Sequence, residues 1–238
     1  INWVDAQTYI GDIERTEEII QRWAALAPRR YFRYCMDMWG DTQEKQDTVA
    51  AYLAREGYTA IPVTVGFRDT RFHPAYWRTV KRDDREGIAY LRREFIHAAM
   101  HELRLHAANA RAVFGRDPAH IWLIHGTPLG GDCLDAILDA FEAAGVEFIS
   151  TEEAMQDPMN ARVPPRVSPE FIHQVEKWAL VHGVPVDDRA PKILEEIEKL
   201  NVMPGESAAE IRARQLDLLA HHLKGAKPAP VPVASIQC

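Results

Sequence analysis

Residues 53–65, LAREGYTAIPVTV, read as the last turn of a helix, a glycine, and a run with strand composition. Gly57 supplies the left-handed residue that ends a helix without a Cβ penalty, and residues 58–65 are rich in aromatic and β-branched types. The pattern recurs at residues 141–150, FEAAGVEFIS, where Gly145 separates a helix from a strand at 146–149. Helices alternating with short apolar strands predict an α/β fold with a largely parallel sheet, open or closed into a barrel. In such folds ligands and chemistry collect at the carboxyl ends of the strands. Here those ends fall near Arg33, near residues 67–69, and near His125.

Outward from this unit, apolar residues Ile13, Ile19, Ile20, Trp23 and Leu26 recur at helical offsets over residues 12–26, and Pro28 ends the run. A helix over 42–56 follows, with Asp41 and Glu44 at capping-box spacing. Next come a long helix over 84–114, a strand at 120–124 between Pro118 and Gly126, and a helix over 133–144. Ser150 and Glu153 cap a further helix that Pro158 closes. Residues 1–160 therefore form one α/β unit, and 161–168, ARVPPRVS, form a proline-rich linker. Residues 169–225 carry only helical patterns, at 169–182, 191–200 and 208–223, and read as a helical appendage that packs on the body or pairs with a second subunit. Residues 226–238, ending KPAPVPVASIQC, read as a disordered, polyproline-like tail.

Composition narrows the function classes. With 238 residues, 47% hydrophobic and 26% charged, the chain is neither fibrous nor wholly disordered. A net charge of −7 disfavours nucleic acid and anionic membranes as partners. No apolar run approaches the roughly 18 residues of a membrane span. Cys35, Cys133 and Cys238 are too few and too scattered for a zinc ribbon or a disulfide framework. The first residue is Ile1 rather than Met, so a natural chain continuing upstream is expected.

Three features could carry chemistry. In residues 120–141, HIWLIHGTPLGGDCLDAILDAF, an apolar strand delivers His125 to its carboxyl end beside a glycine-rich loop; such a histidine serves either as a general acid or base or as a structural group. The loop is not a phosphate-binding loop, because no Lys-Ser/Thr pair follows Gly130 and Gly131. Arg33, in PRRYFRYCMDMWGDT, ends a short aromatic strand and could orient a carboxylate through paired hydrogen bonds, or simply face solvent. His97 and His101 share a helix face, as a helical metal site needs, but lack the HExxH order; a packed or solvated face is the simpler reading.

Together, FRYCMDMWGDT, VAAYLAREGYTAIPVTVGFRDT and HIWLIHGTPLGGDCLDAILDAFEAAGVEFISTEEAMQDP resemble the C-terminal part of a polysaccharide deacetylase domain, the NodB-homology fold of carbohydrate esterase family four. The likeness runs from about Asn2 to Pro158. It implies a distorted (β/α) barrel, N-terminally incomplete, and a metal-dependent hydrolase that removes N-acetyl or related acyl groups from a carbohydrate. It further implies a divalent metal, zinc or similar, whose ligands lie upstream, so that this chain alone is expected to be inactive. Arg33 falls on the arginine motif that tethers a catalytic aspartate, and Leu123 and His125 on the leucine-histidine motif whose histidine is the general acid. Asp69 falls near the motif that supports that histidine; Tyr34 and Leu123 fall where substrate binds. The chain departs from the pattern at Cys35, where proline is usual, at Gly66 and Arg68, where acidic residues are common, and at Thr70, where tryptophan is expected. Those departures keep two alternatives open: a non-catalytic carbohydrate-binding or interaction protein, and a metal-independent hydrolase of a small cyclic amide. A periplasmic or secreted setting is what the resemblance suggests.

Overall fold

The computed structural model describes residues 1–24, 30–165, 167–168, 172–189 and 191–200. The expected helix at 208–223 and the tail at 226–238 lie outside the described residues. The described residues are mostly helical, with two short parallel strands among them. Helix α1 (Ala6–Ala24) leads to β1 (Tyr31–Phe32), α2 (Gln43–Arg55) and β2 (Thr59–Ala60). The next helices are α3 (His73–Lys81), α4 (Arg85–Phe114), α5 (Pro128–Ala143), α6 (Thr151–Ala154) and α7 (Pro158–Ala161). The last are α8 (Gln174–His182) and α9 (Ile193–Leu200).

Tyr31 pairs with Thr59 and Phe32 with Ala60 in parallel register. A second parallel contact, Val65 with Trp122, stands apart from the first. The strand expected over 58–65 is therefore regular only near its two ends. Pro62 lies between them and has no N–H for a ladder bond. Residues 146–149, also expected as a strand, are not one. Phe148 and Ile149 there stay exposed.

Local chemistry sets the helix ends. Thr42, not Asp41, caps α2, its hydroxyl accepting the Lys45 N–H at 3.3 Å, while Asp41 forms an ion pair with Lys45. Helix α4 starts at Asp84, whose carboxylate accepts the Gly87 N–H, and stops at Gly115 in the left-handed region. Helix α5 begins five residues before the expected 133: Pro128 suits the first turn and Thr127 caps it, so Gly130 and Gly131 are absorbed rather than breaking it. The capping box of Ser150 and Glu153 is present with both reciprocal bonds. Helix α3, which the apolar pattern did not reveal, opens with Pro74 in its first turn.

The main core joins Phe67, Phe72, Leu91, Phe95, Ile137 and Phe141. Ile193, Leu194 and Ile197 of α9 belong to the same core, so this part of the segment read as an appendage packs on the body. A second cluster packs α1 on α2 through Ile10, Ile13, Tyr34, Trp39, Val49 and Leu53. Helix α8 rests on a smaller one, Val175 against Ala110 and Met159, with Phe114 and Trp178 at its margin.

Candidate active site

The parallel contact between residues 64–65 and 121–123 aligns two carboxyl ends. Thr64 and Val65 N–H groups donate to the Ile121 carbonyl, and Leu123 N–H donates to the Val65 carbonyl at 3.1 Å. The Thr64 hydroxyl also accepts the Ile121 N–H at 2.6 Å. Beyond this clamp, Asp69 and His125 meet. Asp69 is 1% exposed, and its carboxylate faces His125 Nδ1 at 2.8 Å. The same carboxylate accepts the backbone N–H of His125 at 2.6 Å and that of Thr70 at 2.8 Å. An ionised carboxylate only accepts, so Nδ1 carries the hydrogen and Nε2 is turned outward. The His125 side chain is 47% exposed, which leaves Nε2 within reach of a ligand. Behind it, a Cβ on Gly130 would lie 3.0 Å from the His125 carbonyl oxygen, so the glycine lets α5 start tight against the histidine.

The other expected site residues are placed elsewhere. Arg33 lines a cleft of about 330 Å³ between α1 and β1, with Tyr9, Tyr31, Phe32 and Tyr58, and makes no ion pair or hydrogen bond among the described residues. Tyr34 is 2% exposed and stacks between Tyr9 and Trp39, which gives it a core role and leaves no surface for substrate. Leu123 is half-buried on the clamp strand. His97 is exposed near Glu94, and His101 Nε2 lies 3.1 Å from the Arg189 carbonyl; the two share no ligand. Cys35 uses its backbone N–H to donate to the Tyr9 hydroxyl at 3.3 Å, a bond that proline could not make.

Sequence reading missed a buried ionic cluster. After β1 the chain makes a tight turn in which Met36 and Asp37 both have positive φ, 54° and 52°, a conformation that non-glycine residues hold only when their surroundings enforce it. The enforcement is visible: Trp39 Nε1 donates to Asp37 Oδ1 at 2.8 Å, and Lys177 Nζ donates to the Asp37 carbonyl at 2.7 Å. His173 lies 3.5 Å from Asp37 Oδ2 and stacks edge-on to His106. On α4, Glu102 pairs with Arg68, and His106 lies between Glu102 and Glu176. Burial pushes the Lys177 ammonium down, opposed by Asp37. Burial works to raise the Glu176 carboxyl, but His106 and the charge of His173 outweigh it and hold it below its ordinary range. Nothing in hydrophobic periodicity marks these residues, because they come from four separate segments.

Among the described residues no three His, Cys, Asp or Glu side chains are placed to hold a metal ion. The buried cluster fails that test because its carboxylates are already engaged by Trp39, Lys177 and Arg68. Comparison with protein families, with curated proteins and with solved structures finds no match. The resemblance to the deacetylases therefore rests on the quoted motifs alone.

Proposed function

We propose that the chain is part of a hydrolase that removes N-acetyl or related acyl groups from a carbohydrate, within a distorted (β/α) barrel of the NodB type. The observation that carries this reading is the buried Asp69 holding His125 with its ring half exposed, just past the isolated parallel bridge between Val65 and Trp122. In the proposed step a water oxygen bonds to the acyl carbon, the C–N bond breaks as the imidazole gives its Nε2 hydrogen to the leaving nitrogen, and the acyl group departs as the carboxylic acid while the sugar keeps the free amine. Asp69 stabilises the imidazolium beforehand and fixes its direction. The divalent metal implied by the resemblance is not served by the described residues, and no step is routed through it. Parallel pairing of β1 with β2 and of Val65 with Trp122 supports a parallel α/β order, and closure into a barrel is part of the proposal.

The test is acetate release from N-acetylglucosamine oligomers, with zinc added, by the full-length protein. Turnover is expected in the parent, and His125→Ala should lower it about 10²- to 10⁴-fold with the melting curve unchanged. A parent rate at background, or an unchanged rate in the variant, would overturn the reading.

A second reading, a carbohydrate-binding protein without turnover, is favoured by the cleft beside β1. Its aromatic lining and unpaired Arg33 suit a sugar face better than a reaction centre.

A further inference from the structure

In open α/β arrangements the crevice beyond the carboxyl ends of the strands is where ligands enter. Here part of that crevice is filled by the chain itself. Gln174 N–H donates to the Val63 carbonyl at 2.8 Å, so the start of α8 is hydrogen-bonded to the segment that ends in Gly66 and Arg68. Lys177 reaches past the ring of Trp39 to Asp37. His173 sits against Gly66 so closely that a Cβ there would lie 2.1 Å from its Nε2. Gly66, which departs from the deacetylase pattern, is therefore the one residue type that admits this histidine.

The contact is built unlike the rest of the body. Helix α9 is held by apolar burial in the main core, whereas α8 combines a small apolar patch around Val175 with buried ionic contacts from His173, Glu176 and Lys177. Several buried atoms there, Asp37 Oδ2, Glu102 Oε2 and His106 Nδ1, meet their ionic partners at 3.2–3.7 Å without well-formed hydrogen-bond geometry. Buried ions with unmet hydrogen bonds favour separation more than apolar faces do. Gly183, in the left-handed region, ends α8.

We propose that residues 172–184 form an intrasteric plug, with His173 seated on Gly66 and Lys177 on Asp37, which must leave before a ligand reaches the carboxyl ends of β1 and of residues 59–65. What the plug gates rests on the deacetylase reading; the plug itself does not. Release uncovers Asp37, Glu102 and His106 beside Arg68, next in sequence to Asp69. The freed Asp37 carboxylate would take a hydroxyl or cationic group in place of Lys177.

The experiment is native-state hydrogen exchange on the full chain in graded urea. The amides of residues 174 and 178–182 should exchange through an opening with a smaller urea dependence than those of α4 and α5. In Gly66→Ala the same amides should exchange at least tenfold faster, with α5 changed less than twofold. Exchange of α8 and α5 through one common opening overturns the proposal, as does a Gly66→Ala protein with parental exchange. If that variant does not fold, the urea series on the parent decides alone. Calorimetry with N-acetylglucosamine trimer gives the separate arm: tighter binding by Gly66→Ala supports both readings. Faster exchange with no gain in binding keeps the plug and refutes the carbohydrate it was taken to gate.

Discussion

Replacing Asp157 with asparagine should remove the share of the acid sensitivity between pH 4 and pH 2 that this one carboxylate contributes. Asp157 accepts two hydrogen bonds from the Arg116 guanidinium at 2.6 Å each, one from Ala119 N–H at 3.0 Å and one from Met159 N–H at 2.9 Å. The Arg116 bonds come first among the causes that hold its carboxyl down at about 2, against an ordinary value of 3.8. A depression of that size corresponds to about 2 kcal/mol of stability at neutral pH, the exposed side of the guanidinium being screened by water. The sign follows from proton binding. The folded carboxyl is the stronger acid, so its contribution is complete above the unfolded value and disappears as pH falls through about 2. Urea denaturation followed by tryptophan fluorescence at pH 7, 4 and 2.5 measures the difference between parent and variant. That difference should be about 2 kcal/mol at pH 7 and shrink steadily below pH 4. A difference that stays constant with pH would refute the reasoning, because the loss would then lie in helix capping and not in the charge pair. Arg116→Met should reproduce the pH dependence while keeping the two backbone bonds. The clamp also matters for the site: Ala119 leads directly into the strand that presents His125.

His120 works with the same sign and for a different reason. Burial pushes its imidazole down to about 4, so stability should fall by about 3 kcal/mol as pH drops from 6.5 to 4; His120→Gln should flatten that slope in the same denaturation series, and an unchanged slope would count against buried, neutral His120. Ile197→Ala should cost about 2–5 kcal/mol because its side chain is fully buried in the main core; a loss under about 0.5 kcal/mol would show that α9 is peripheral.

The elements with strong local signals were legible from sequence. The helix over 84–114, with an acidic cap and a terminal glycine, is matched by α4 to within a residue, and the Ser150–Glu153 box forms as its spacing predicts. Strand extent was not legible, since a parallel ladder depends on partners far along the chain and Pro62 interrupts the one run that looked continuous. At the site, position at a strand end pointed to His125, and the resemblance pointed to Asp69; their 2.8 Å contact required the 56-residue separation between them to be closed by the Thr64–Ile121 clamp. Tyr34 shows the opposite case. The resemblance places it where substrate binds, but Tyr9 and Trp39 approach it from α1 and the following turn and enclose it.

The bond from Lys177 to the Asp37 carbonyl joins groups 140 residues apart. On a translating ribosome adding roughly 5–20 residues per second, Asp37 emerges about 7–28 s before its lysine. Throughout that interval the strained turn at Met36 and Asp37 lacks its cationic anchor, and only Trp39 is close enough in sequence to hold it. Birth of the chain thus passes through a stage in which β1, α2 and the first half of the body can assemble with the carboxyl ends uncovered. The order of synthesis makes closure of this crevice one of the last events in folding.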